Sequence, residues 1–389
     1  FDLRRFAALQ PQTADGAVRF TPATVTLLRR DPRSGDLRPI AVLVSGHDGA
    51  GRQVYTRPGA TDDAWLYALL AAKTSITVFG IWLGHVYQWH LVTAAMQMTL
   101  LNTLTPDHPI HQLLGPQSKY LIAFDEAILT QWSAIAPPTS LTTADQFLGL
   151  CNGFADGRSF FDDDPRATLA RMGLRERDFS AEEPWDRFPV ARKMLAVWTL
   201  VERYVRVCVE AMYGTDAAVA SDAALQAWIA SSSAPEGGNI QGLPAMTSRD
   251  ALVRVCTSIL NRITIHGASR LNSTPNPALA FVANFPHCLQ RDDIPSPRAH
   301  VDTRELLTYL PNTKTIAQAL SFYYVFAFST PYEPYIPLGG PDADLFFPGG
   351  PTSRRNRALI QLREGVAGLI AEWQPGAPQL FQWPRNVET

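Results

Sequence analysis

The chain has 389 residues, 46% hydrophobic and 18% charged, enough for one large domain or two ordinary ones with whole helices buried. A formal net charge of -2 excludes an electrostatic case for nucleic acid or an acidic membrane face, because the arginines are scattered and form no stripe. Cys151, Cys208, Cys256 and Cys288 stand far apart with no CxxC pair, which excludes a zinc ribbon or a dense disulfide framework and predicts buried free thiols.

Residues 1–60 read as extended and irregular. Their one convincing strand is the β-branched run from Leu37 to Val44, closed by Gly46-His-Asp-Gly-Ala-Gly51 as a hairpin or tight turn. No signal peptide is visible, and the chain opens at Phe1 without a Met, as processing or trimming would leave it. From Thr61 the pattern changes to helical periodicity, with Asp62 and Asp63 as acidic residues at a helix N-terminus. Helices are predicted at roughly 62–105, 118–134, 186–213, 222–231, 247–270, 303–309, 314–328 and 353–373. No apolar run approaches the roughly 20 residues needed to span a bilayer, so no transmembrane segment is expected. The loops carry Pro137-Pro138, Asp162-Asp163-Asp164-Pro165, Ser231 to Gly238 and a proline-rich stretch at 274–298, none of them long or biased enough to separate domains. The expected fold is mainly α, a single large helical domain over 1–389 with a small β-rich lead-in at 1–60.

The chemistry gathers around His85-Val-Tyr-Gln-Trp-His90. Two imidazoles in an aromatic-rich helix form a candidate metal pair, but at about 100° per residue an α-helix sets positions five apart roughly 140° from each other. A π-turn, with its i to i+5 hydrogen bond, restacks them on one face, so metal binding here predicts a widened helical turn. His266, in the apolar helix that begins near Leu252, is either a hydrogen-bonded core residue or a third imidazole. Three neutral nitrogens suit Fe(II), Zn(II), Cu or Mn, and ligand type does not decide among them. His108 and His111 flank a turn at Pro109 and read as helix-capping or surface residues, and His47 in its Gly-rich turn reads as solvent-facing. Asp162 to Asp164 read as an exposed acidic loop rather than a cation site. No GxSxG elbow, phosphate-binding Gly loop, HExxH or GxGxxG is present.

These residues resemble the catalytic domain of lipoxygenases, which are non-haem iron dioxygenases. Members carry a His-x4-His pair and, eighteen residues on, a His-Pro-Ile-His-x-Leu-Leu-x-Pro run; here His90 is followed at that spacing by His108-Pro-Ile-His-Gln-Leu-Leu-Gly-Pro116. Asp63-Ala-Trp65 with Ala72-Lys73, Trp198 to Tyr204, Asp222 to Trp228, Gly242-Leu-Pro244, Cys256-Thr257 and Tyr335 to Gly339 resemble further family motifs in the right order. The similarity covers nearly the whole chain. Nothing before residue 60 is large enough to be the β-barrel membrane-binding domain that opens many eukaryotic members.

The resemblance implies His85, His90 and His266 as ligands of a mononuclear non-haem iron. The family's fourth ligand falls at Arg270, whose guanidinium has no lone pair to offer. The fifth is the carboxylate of a C-terminal isoleucine. This chain ends at Thr389, so either Thr389 supplies the carboxylate, or terminal residues are missing from the sequence, or that ligand is absent. The leucine that clamps the substrate in the family corresponds to Trp132, and the small residue that sets oxygen access corresponds to Ile128. Both additions of bulk imply a shorter or rerouted pocket. The leading expectation is hydrogen abstraction from an unsaturated, non-standard or shorter small-molecule substrate, with dioxygen insertion or a related oxidative rearrangement, and Arg270 as an anion clamp. The alternatives are a catalytically altered relative serving as a binding or partner protein, and a metal-dependent isomerase or cyclase without net oxygenation.

Overall fold

The computed structural model describes residues 1–14, 16–33, 37–118, 122, 143–173, 189–263, 286–312 and 347–373. The strand expected at 37–44 is β5 (Leu37–Ser45), but it does not stand alone. With β1 (Asp2–Leu3), β4 (Ala23–Arg30) and β6 (Gln53–Thr56) it forms an antiparallel sheet in the order β1-β4-β5-β6, while β2 (Gln12–Ala14) and β3 (Ala17–Arg19) pair separately. The lead-in is therefore more regular than its sequence suggested. β4 escaped detection because its pattern is inverted: Thr24 and Thr26 are buried while Leu27 is 56% exposed, so the usual apolar-in alternation is missing.

The chain divides into two compact units. The first comprises residues 1–84, 128–156 and 274–326. In it the inner face of the sheet, carrying Val42, Val44 and Tyr55, packs against α1 (Asp62–Val78) through Ala64, Trp65, Tyr67, Ala68, Ala71 and Ala72. Four alanines on one face let helix and sheet approach closely. Thr61 caps α1 by accepting the Ala64 N–H at 3.1 Å, next to the two aspartates that the helix dipole favours. Two helices complete the described part, α4 (Ala144–Ala155) and α10 (Thr303–Tyr309). α4 was not predicted, yet Phe147, Leu150, Cys151 and Phe154 are its buried residues at helical spacing; Gly149 and Gly153, on its exposed side, obscured the signal. Phe154 meets Phe79 edge-on at 5.8 Å, and Phe147 meets Trp82 at 5.2 Å.

The second unit comprises residues 85–127, 157–273 and 327–389. Its helices are α2 (Val92–Thr103), α3 (Pro109–Leu114), α5 (Pro165–Arg171), α6 (Pro189–Met212), α7 (Asp216–Ala220), α8 (Ala223–Ser233), α9 (Arg249–Asn261) and α11 (Arg354–Trp373). α6 runs through the core, where Val197, Val201, Val205 and Val209 join Leu252, Val255 and Ile259 of α9 and Leu359, Leu362 and Val366 of α11. At Gly365 an added methyl would lie 2.9 Å from Leu200, so the glycine sets how closely α11 approaches α6. All four cysteines are buried and free, as expected, and burial pushes the Cys151, Cys208 and Cys288 thiols up to about 12. The helices expected at 118–134 and 314–328 lie almost wholly outside the described residues.

The apolar residues of the central region gather into one long helical run. Asp62–Thr103 is 42 residues long, and by length and composition it suffices to cross a membrane. However, 59% of its most apolar stretch is buried inside the protein, as in a core helix.

Candidate functional site

The widened turn is present. α1 gives way at Phe79 to a π-helix that runs to Leu91, and the α pattern resumes at Val92. His85 and His90 both lie in this segment, where the i to i+5 pattern stacks positions five apart. His90 is 1% exposed, and its ring packs on Trp89 with centroids 4.0 Å apart. For His85 the structure describes the backbone alone. His266, Arg270, Ile128, Trp132 and Thr389 lie outside the described residues, and among the described residues no three His, Cys, Asp or Glu side chains cluster as a metal site would require.

The helix leading towards His266 is described as far as Ile263. α9 begins at a Ser248 cap, whose Oγ accepts the Ala251 N–H at 3.2 Å, and after Asn261 it too turns π-helical, at Arg262 and Ile263. Asn261 is 1% exposed; its amide Nδ2 donates to Thr257 O at 3.0 Å, while its Oδ1 is buried with no hydrogen-bond partner among the described residues. A buried imidazole on the π-helix and a buried neutral oxygen on α9 are the kinds of donor that a centre built from neutral ligands would take.

Next to the π-helix lies a feature that the sequence misrepresented. Asp162 to Asp164 are not an exposed acidic loop. Ser159 forms a capping box with Asp162, and Phe160 and Phe161 are buried. The Asp163 side chain, 13% exposed, pairs with Arg262 at 3.2 Å and with Arg158, and its Oδ1 also accepts from Gln88 Nε2. Asp164 accepts from Ser258 at 2.7 Å, and burial pushes its carboxyl up to about 6. A buried carboxylate is tolerated here because cations and donors surround it. The sequence signal was weak, because Arg262 lies about a hundred residues away from its aspartate partner.

His108, His111 and His47 have partners within the protein. His108 is the N-cap of α3: its Nδ1 accepts the Ile110 N–H at 3.2 Å and its Nε2 lies 3.1 Å from Asp222 Oδ2. Burial raises the Asp222 carboxyl, but the Leu225 N–H, Tyr213 OH and His108 outweigh it and hold the group below its usual range. His111 Nδ1 lies 3.1 Å from Leu104 O. His47 is only 32% exposed and is held against Ala7 O at 3.0 Å, which corrects its reading as solvent-facing. His287, singled out by nothing in the sequence, is 1% exposed, and burial lowers its pKa to about 4.

Comparison with known proteins identifies the family. The lipoxygenase family model matches residues 12–336. A linoleate 9/13-lipoxygenase of Pseudomonas aeruginosa is 23% identical over 79% of this chain and 44% of its own length. A manganese lipoxygenase of Pyricularia oryzae is 26% identical over 77% of this chain and 48% of its own. This chain thus spans less than half the length of these relatives. The solved structure of a calcium-dependent 11R-lipoxygenase superposes on all of this chain and 57% of its own with a TM-score of 0.84 at 17% identity, a likeness of fold. The motifs around His85, His90 and His108, the π-helix that holds the first pair and the family match over most of the sequence lead to one conclusion: the chain belongs to the lipoxygenase family.

Proposed function

We propose that this chain is a lipoxygenase-type oxidoreductase that binds one non-haem iron through His85, His90 and His266 and removes hydrogen from an unsaturated substrate, with dioxygen insertion or a related oxidative rearrangement. The observation that carries this reading is the π-helix Phe79–Leu91, with buried His90 on it and His85 five residues earlier. When bound, the iron supplies the one-electron chemistry; the chain's own residues hold it, orient the substrate and exclude water.

Two departures from the family shape the substrate side of the proposal. Trp132 and Ile128 add bulk where a long polyunsaturated chain would bend, which favours a shorter substrate. Arg270, unable to ligate, holds an anion such as the substrate's acidic group. The manganese relative makes the identity of the metal a direct question for the purified protein.

The test is oxygen uptake by the iron-loaded chain with unsaturated acids of graded length. Oxygen consumption that rises as the acid shortens supports the reading. Substrate turnover without oxygen uptake identifies an isomerase or cyclase, and neither turnover nor bound metal identifies a binding protein on a lipoxygenase scaffold. Arg270→Asn restores a family-like donor; if it changes neither iron content nor turnover, the anion clamp is lost.

A further inference from the structure

Gln88 lies between the two histidines of the π-helix, and it is held in an unusual way. The π pattern ends at Leu91 and the α pattern resumes at Val92. At such a switch two successive carbonyls compete for one N–H; here they are those of Tyr87 and Gln88, five and four residues before Val92. One carbonyl is left short of a donor. Arg262 supplies it, donating from Nη1 to Gln88 O at 3.2 Å. The same Nη1 lies 3.2 Å from Asp163 Oδ2, Nη2 donates to Phe160 O, and the guanidinium lies 4.4 Å over the Phe160 ring. Asp163 in turn accepts from the Gln88 side chain, so that Gln88 is gripped by both its backbone and its amide. The Arg262 side chain is 5% exposed, and the residue is itself the first of the second π-helical turn.

We propose that Arg262, held in place by Asp163, is a positioning residue that locks the π-helical register of residues 79–91 and thereby keeps His85 and His90 on one face. The clamp's link to a metal rests on the reading of those histidines as ligands; the clamp itself does not. The alternative it opposes is an α register, in which the two imidazoles turn away from a common ion. Arginine suits the task because its planar fork serves a carbonyl and a carboxylate at once, whereas a lysine ammonium is a point charge on a flexible stem.

Amide hydrogen exchange of the metal-free full chain tests the clamp, with Mn(II) titration as a second readout. In Arg262→Lys and in Asp163→Asn, exchange over residues 86–93 should rise by about tenfold or more while the core of α6 keeps its protection. Mn(II) should then bind at least about tenfold more weakly than to the unaltered chain. Unchanged exchange over 86–93 in both variants overturns the proposal, as does a rise that is equal in α6, which would mark a merely structural role. A local rise in exchange combined with no Mn(II) binding even to the unaltered chain would leave the clamp standing and overturn the ligand reading instead.

Discussion

Two histidine pairs lie within one stretch of twenty-seven residues, on two different kinds of helical backbone. His85 and His90 are five apart on a π-helix, a spacing that faces one ion only when the backbone is widened. His108 and His111 are three apart at the start of an ordinary helix, and their ring nitrogens serve the protein itself: a helix cap and a carboxylate for His108, a main-chain carbonyl for His111. The difference lies in the backbone: the first pair sits on a widened helical turn, whereas the second sits at the start of an ordinary helix and bonds to the protein. The neighbouring acids also bond to the protein, since the Asp163 charge is taken up by arginines and the Asp222 charge by a cap and a tyrosine.

The comparison can be broken most sharply at His90. His90→Ala should reduce bound metal to a trace while the chain stays folded, read by metal analysis beside circular dichroism; metal retained at the wild-type level would sink the first half of the contrast. Next comes Asp163→Ala, which strands buried Arg262. It should destabilise the fold by about 3–5 kcal/mol in urea denaturation, and a loss within experimental error would show that the ion network is incidental. His108→Ala removes a cap and one partner of Asp222, a loss of about 1–2 kcal/mol with no change in metal content. Asp222's depressed pKa contributes stability that is present above the unfolded value near 3.8 and is lost as pH falls through the folded value, and His108→Ala should flatten that acid dependence.

The smallest effect is expected at Asp164. Its folded pKa of about 6 lies above the unfolded value of 3.8, so the folded chain binds the extra proton, and stability falls as pH rises between those two values. Asp164→Asn should therefore gain stability at pH 7.5 and nothing at pH 3.5, compared by denaturation at each pH. A gain that is the same at both pH values would mean the carboxyl is not buried as described.

Much of this was legible from residues alone, for physical reasons that differ from place to place. The π-turn could be inferred because two histidines five apart can face one ion on a helix only where the turn is widened, and the capping role of His108 followed from its place before Pro109. α1 announced itself by acidic residues ahead of apolar periodicity, and α8 and α9 by that periodicity. β4 did not, because threonines occupy its buried positions, and α4 was hidden by its glycines. The Asp163–Arg262 clamp was invisible because ion pairs across long separations leave no local pattern, and three consecutive aspartates more often mark a solvated loop.

On the proposed function the π-helical pair, and not the capping pair, holds a metal. Elemental analysis of the protein produced with iron supplied, in parallel with His90→Ala and His108→Ala, tests it directly. Near-stoichiometric iron is expected in the unaltered chain and in His108→Ala, and only a trace in His90→Ala. A trace in all three, or iron that follows His108 rather than His90, would contradict it.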